Sequence, residues 1–248
     1  KGIQAIIVYP MNALINSQSD ALRGFADSYE KGTGQPFPIR FGQYTGQEKQ
    51  DKREEIKADP RHILLTNYMM LELILTRLGE QTIRTAIFEN LRFLVFDELH
   101  TYRGRQGADV ALLIRRILNQ CAHSVNAIGT SATMVSGGSL AEQKARIASV
   151  ATTFFGRTIQ SDQVITEKLT RSLGNHKQPS AQDLRDAILA PLPEHADYSM
   201  LAKHPVLIWV EQAIALQESA GDLVRHAPLQ LTEICGLLAE ASGCALDP

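Results

Sequence analysis

No run of apolar residues in this 248-residue sequence approaches the roughly 18 that would cross a bilayer, and no charged-then-apolar leader opens it. A membrane protein is therefore not expected. Cysteine is scarce: Cys121, Cys235 and Cys244 are an odd number without zinc-ribbon spacing, which excludes a disulfide framework and fits a reducing, cytoplasmic compartment. His226, Cys235 and Cys244 include no close ligand pair, so no metal site is expected there. No glycine is followed by lysine, so the phosphate-cradling pattern Gly-x-x-x-x-Gly-Lys-Ser/Thr does not occur within these residues. The one tryptophan, Trp209, lies in a strongly apolar segment and reads as core rather than as a stacking platform.

What is present is ordinary globular composition, 44% hydrophobic and 21% charged, enough for one large domain or two smaller ones. The net charge of −2 hides an asymmetry. Residues 1–159 hold 19 Lys/Arg against 15 Asp/Glu, and residues 160–248 hold 6 against 12. A polyanion would therefore choose the first part.

Strands and helices alternate through that part. Apolar Ile3–Tyr9 reads as a buried strand ended by Pro10, and a helix opens at Met11 with apolar residues at 11, 14, 15, 21, 22 and 25. Ile39–Tyr44 and His62–Thr66 read as further strands, with a charged helix over Glu48–Lys57 between them. Thr45-Gly-Gln-Glu48 has the form of a capping box for that helix. Asn67 suits the N-cap of the helix that follows, and Thr82–Leu91 is helical. Phe93–Phe96 is short and apolar enough for a strand buried on both faces of a parallel sheet. A loop over Arg103–Gly107 precedes a helix over Ala108–Gln120. Ser124–Ile128 is the next strand, and Ser139-Leu-Ala-Glu142 caps a helix running to Phe155. Such alternation specifies an α/β fold with a mostly parallel sheet. A last strand is expected within 158–165 and a domain boundary near 160. The acidic remainder reads as helices over Ala181–Leu189, Val206–Glu218 and Thr232–Ala241, the last with Thr232 as N-cap.

Chemistry gathers where the strands end, the edge at which open α/β sheets bind ligands. The Phe93–Phe96 strand delivers Asp97-Glu98-Leu99-His100 to its tip. A strand-end aspartate can hold Mg²⁺ through water, and a neighbouring glutamate can orient or deprotonate an attacking water. Asp-Glu alone is frequent and could equally be solvated or a helix cap. The other strand ends bear Tyr9-Pro-Met-Asn12, Tyr44-Thr45-Gly46, Thr66-Asn67 and Ser131-Ala-Thr133. Small hydroxyl and amide residues of this kind suit phosphate and sugar contacts, although each taken singly makes an ordinary cap or turn residue.

The ordered set Tyr9-Pro-Met-Asn-Ala-Leu-Ile-Asn-Ser-Gln18, Tyr44-Thr-Gly46, Thr66-Asn-Tyr-Met-Met-Leu71, Asp97-Glu-Leu-His100 and Ser131-Ala-Thr133 resembles the first RecA-like domain of superfamily 2 helicases of DEAD/DEAH type. Within them it is most similar to large bacterial DNA helicases whose Asp-Glu-x-His box is followed by Tyr-x-Gly. The resemblance covers roughly residues 1–155 and implies a RecA-like sheet followed by a smaller helical segment. It implies ATP and Mg²⁺ as cofactors, with Asp97 on the metal and Glu98 polarising the hydrolytic water. His100 would contact Ser131, Ala132 and Thr133 and relay nucleotide state. Asn12, Thr45, Gly46, Thr66, Asn67 and Arg103 would lie along a nucleic-acid backbone, DNA by resemblance with RNA also compatible. The remaining helicase domains of the same chain would be partners, and no membrane would be.

Two parts of the family pattern fall outside these residues, the phosphate loop and the second RecA-like domain. The sequence thus reads as a piece of a longer protein whose phosphate loop precedes Lys1, and the piece alone is expected neither to hydrolyse ATP appreciably nor to unwind. A non-catalytic RecA-like binding or scaffold module is the alternative reading. A metal-dependent phosphohydrolase built on Asp97, Glu98 and His100 would lack the further ligands of a two-metal site. Residues 161–248 read as an acidic accessory segment or linker.

Overall fold

The computed structural model describes residues 2–132, 139–190, 193, 195–219 and 222–245. Its centre is a five-stranded parallel sheet made of β1 (Ala5–Tyr9), β2 (Phe41–Gln43), β3 (Ile63–Asn67), β4 (Phe93–Phe96) and β5 (Asn126–Gly129), in the order β2-β3-β1-β4-β5. Parallel neighbours need crossovers, and helices supply them. They are α1 (Asn12–Thr33), α2 (Gln50–Ala58), α3 (Tyr68–Thr76), α4 (Gln81–Asn90) and α5 (Gly104–Gln120), with α6 (Leu140–Phe155) after the sheet.

Period-two alternation decides which side chains face which layer. Ile6, Val8, Leu64, Leu94 and Phe96 point to one face, where they form the main core with Leu71 and Ile74 of α3, Ile83 and Ile87 of α4, and the apolar stripe Val110, Leu113, Ile114 and Ile117 of α5. Ile7, Tyr9, Ile63 and Leu65 point to the other face and meet Leu14, Ile15 and Leu22 of α1. That helix packs over β1, β2 and β3. Phe93 and Ile128 are each 43% exposed, so β4 is not buried on both faces as its composition suggests. An apolar run records the hydrophobicity of a strand and not whether a helix covers each side.

Local chemistry sets the helix ends. Ser139 and Glu142 make both bonds of the expected capping box. The Thr45–Glu48 pair does not cap: the Glu48 carboxylate accepts from the Thr45 hydroxyl at 2.6 Å and from its N–H, and α2 begins two residues later with Lys49 at its N-cap. Residues 104–107, read as loop, form the first turn of α5, because the Gly107 N–H reaches the Arg103 carbonyl at 3.2 Å.

Contacts divide the chain into two compact units, the first ending at Ile165 and the second beginning at Thr166. Residues 158–165 make no strand. The Ile159 N–H donates to Thr152 Oγ1 at 2.9 Å, and Gln160 and Gln163 cap a short 3₁₀ turn, so these backbone groups close off α6 instead of extending the sheet.

The second unit contains α7 (Ala181–Leu189), α8 (Tyr198–Leu201), α9 (Pro205–Trp209) and α10 (Leu231–Ser242). The single helix expected over Val206–Glu218 is instead three pieces. After α9 the backbone widens into a π-turn at Val210–Ala215, then pairs as β6 (Leu216–Ser219) antiparallel to β7 (Asp222–Arg225). Glu211 explains the break: its Oε1 accepts from the N–H groups of Ser172 at 2.6 Å and Leu173 at 3.2 Å, anchoring the wide turn where π geometry often serves a specific contact. Trp209 is 5% exposed and belongs to the interior of this unit. The cap of α10 is Gln230, boxed with Glu233, so Thr232 lies inside the first turn.

Candidate functional site

Parallel pairing puts the carboxyl ends of all five strands along one edge. Register aligns Tyr9 with Asn67, and Phe96 with both Val8 and Gly129. At about 4.8 Å per strand the row is about 19 Å long. In order it presents the Tyr44–Gly46 turn, Thr66-Asn67, Tyr9 to Asn12, Asp97-Glu98 and Thr130-Ser131. The helix after β1 covers one face and the helix after β4 covers the other. The crevice between β1 and β4 is therefore a topological switch point, where such sheets bind ligands.

Asp97 and Glu98 occupy that crevice. The Asp97 N–H donates to the Val8 carbonyl at 2.9 Å, continuing the ladder one residue beyond β4. Its Oδ1 accepts from the Thr130 hydroxyl, while Oδ2 has no protein hydrogen bond among the described residues. Glu98 has φ +53°, the one positive φ at a non-glycine residue among those described, a conformation that costs about 1–2 kcal/mol. Ladder bonds on both sides hold it there: Asp97 to Val8, and the Leu99 N–H to the Thr130 carbonyl at 2.9 Å. The turn throws Leu99 into the core, 7% exposed, directly beneath Gly129. A Cβ at Gly129 would come within 2.1 Å of Leu99 Cδ1, so the close approach of the two strand ends depends on that glycine.

His100 joins the two halves of the row. Its Nδ1 lies 3.1 Å from Ser131 Oγ and 3.2 Å from Glu98 Oε2. That carboxylate oxygen is sealed from solvent and has no aligned hydrogen-bond donor, although the side chain as a whole is 35% exposed. Arg103 Nε donates to the His100 carbonyl at 2.7 Å and fixes the end of the turn. Ala132 is exposed beside Ser131, and Thr133 lies outside the described residues. Tyr9 and Tyr102 flank the carboxylates. Burial first, and the Asp97 charge second, push the Tyr9 phenol up to about 12 and raise that of Tyr102 further. Both stay neutral at any physiological pH.

At the other end of the row, Asn67 Nδ2 donates to Asn12 Oδ1 at 2.8 Å, while Asn67 Oδ1 accepts from the Met70 N–H at 2.8 Å. One amide thus caps α3 and ties it to the start of α1. The N-cap reading and a surface reading of Asn67 are compatible, because its side chain is only half-buried. Asn67→Ala should cost about 1–2 kcal/mol through the lost cap, read as a lowered urea midpoint. Asn67→Asp should recover most of that, since the carboxylate still accepts from Met70; equal losses would remove the cap from the account.

Two expected contacts with a nucleic-acid backbone do not reach the surface. Thr66 is fully buried, and its hydroxyl donates to the Tyr44 carbonyl at 2.6 Å. Thr45 is 2% exposed, its hydroxyl engaged by Glu48 and by the Gln47 N–H. Both threonines shape the turn that presents Gly46, which is exposed. Tyr44 anchors that turn from below by donating its phenol to buried Glu80. Asn12, Gly46, Asn67 and Arg103 are the members of the expected set left accessible. Thr130, which seats Asp97, was missed; its place directly before Ser131-Ala-Thr133 was the available signal.

A parallel sheet with its carboxylates and hydroxyls at the switch point defines a RecA-like α/β domain. The family model for the DEAD/DEAH box helicases matches residues 1–138, and the chain belongs to that family. The uncharacterized ATP-dependent helicase YprA of Bacillus subtilis (strain 168) is 34% identical over 143 residues, 56% of this chain and 18% of that protein. The crystal structure of the DUF1998 helicase MrfA is similar in fold, with a TM-score of 0.53 at 23% identity over 75% of this chain and 26% of that one. MrfA bound to DNA gives a TM-score of 0.50 at 26% identity, covering 64% of this chain and 19% of that one. The chain spans between 18% and 26% of the length of these relatives. No helix among the described residues is long and apolar enough to cross a membrane.

Proposed function

We propose that the chain is part of the ATPase core of a helicase or translocase that couples ATP hydrolysis to strand separation of DNA. The observation that carries this reading is the Asp97–Glu98 turn, strained at Glu98 and held by ladder bonds on both sides at the switch point.

Asp97 fits a Mg²⁺ site of the kind made with substrate phosphates, since Mg²⁺ takes one or two carboxylates and keeps several waters. Thr130 occupies only Oδ1, which leaves Oδ2 to reach a metal-bound water. A Mg²⁺ ion held there would supply positive charge to offset the negative charge that develops on the phosphates. Glu98 aligns and deprotonates the attacking water through the exposed part of its carboxylate, while Oε2 is turned inward toward His100. His100, between Glu98 and Ser131, relays the state of that site to the segment after β5. Asn12, Gly46, Asn67 and Arg103 contact a nucleic-acid backbone, largely without regard to sequence. DNA is favoured over RNA because MrfA was solved bound to DNA. The remaining helicase domains complete the site, and the acidic unit from Thr166 onward is an accessory segment.

The test is ATP turnover by the full-length protein with single-stranded DNA, with RNA and with neither. Turnover stimulated by DNA, and binding that falls as salt rises because counterions are released, are the expected results. Stimulation by RNA alone would reassign the substrate. No turnover with either would leave a nucleic-acid-binding or scaffold module.

A further inference from the structure

Beyond the strand ends, the face of α1 that starts at Asn12 continues down the β2 edge of the sheet. Asn12, Asn16, Ser19 and Arg23 recur at helical spacing, three or four residues apart, and so share one side of the helix. Opposite Asn16, residues Gln47, Lys49 and Lys52, from the turn after β2 and from α2, complete a groove of about 610 Å³. A smaller hollow of about 100 Å³, lined by Ser19 and Arg23, continues it and shares Lys52 and Glu55 with it. From Asn12 to Arg23 the helix rises about 16 Å, the length of about five stacked nucleotides at about 3.4 Å each.

The lining decides what such a groove can hold. Small-molecule pockets are mostly apolar. The larger hollow has no aliphatic or aromatic side chain in its wall, only amides, ammonium groups and carboxylates. Two of its three carboxylates are already engaged. Glu48 is held by Thr45, Glu55 by Arg61 and Arg23 by Asp20. Lys49 and Lys52 have no ion-pair or hydrogen-bond partner among the described residues, and Asp51 is the one wall carboxylate equally unpaired. Two unpaired cations beside donor amides match an anionic, hydrated backbone, and the groove begins where Gly46 and Asn12 end.

We infer that this groove between α1 and α2 binds the sugar-phosphate backbone of single-stranded DNA leaving the strand-end row, with Lys49 and Lys52 on successive phosphates. The inference rests on the nucleic-acid reading of the strand ends and adds a second stretch to it. Asp51, the unpaired carboxylate beside the two lysines, weakens the contact.

The test uses the full-length protein and fluorescence anisotropy with labelled hexathymidylate and with a 20-mer, across a series of salt concentrations. Lys49→Ala/Lys52→Ala should weaken 20-mer binding about tenfold and flatten its log–log salt slope by about 1.4, which is about 0.7 for each lost phosphate contact. Hexamer binding, confined to the strand ends, should be unchanged. Lys49→Arg/Lys52→Arg should bind as the wild type does, and Asp51→Asn should tighten the 20-mer. Unaltered 20-mer affinity and slope in the double alanine variant would overturn the groove while leaving the strand-end reading intact. If the wild type binds neither oligonucleotide, both readings fall together.

Discussion

Replacing Glu98 with glutamine is expected to lower DNA-stimulated ATP turnover of the full-length protein by about 10²–10⁴-fold, the range that general-base catalysis supplies. Glutamine keeps the size of the side chain and the Cβ, so the backbone strain at φ +53° is unchanged. What is lost is the charge and proton affinity of a carboxylate 3.2 Å from His100 Nδ1. Nucleotide and DNA binding should persist, because the residues proposed to hold the metal and the strand are untouched. Steady-state ATPase at saturating DNA, paired with a binding titration, checks both parts. Turnover within about threefold of wild type, less than about 1 kcal/mol of barrier, would show that Glu98 does not activate water.

The second large effect concerns stability. Phe96 is fully buried on the main core face and meets Tyr102 and Phe154 edge-on, with ring centroids 6.0 and 5.9 Å away. It is also the residue that precedes Asp97. Phe96→Ala should cost about 3–5 kcal/mol, from lost transfer energy and the cavity left behind. That is a large share of the roughly 5–15 kcal/mol a domain has in total. Leu112, 60% exposed on α5, is the control. Leu112→Ala should change stability by no more than about 0.5 kcal/mol. Urea unfolding followed by circular dichroism compares the two. Similar small losses for both variants would mean that Phe96 does not anchor the end of β4.

The strand ends were legible because several kinds of signal coincide there. A short apolar run followed at once by Asp97 and Glu98 can be read without knowing what surrounds it, and so can the capping chemistry of Ser139-Leu-Ala-Glu142. The misreadings share a cause. Thr66 has the side chain of a backbone contact, and whether its hydroxyl faces solvent or the Tyr44 carbonyl depends on how β2 and β3 pair. The apolar segment at 206–218 has helical composition, yet Glu211 is drawn to the N–H groups of Ser172 and Leu173 some forty residues away and the helix gives way. Local pattern carries no information about such distant partners.

By itself, then, the sequence determined the parallel α/β class, the family and the line of residues that strand ends would present, since these follow from hydrophobic period, caps and ordered motifs. Only the tertiary structure decided which of those residues meet. It set Thr130 against Asp97, His100 between Glu98 and Ser131, and Asn67 on Asn12, and it opened the groove beside α1. The reason is physical: strand order places residues from distant parts of the chain side by side, and the ladder between neighbouring strands holds Glu98 in a backbone conformation it would not adopt alone.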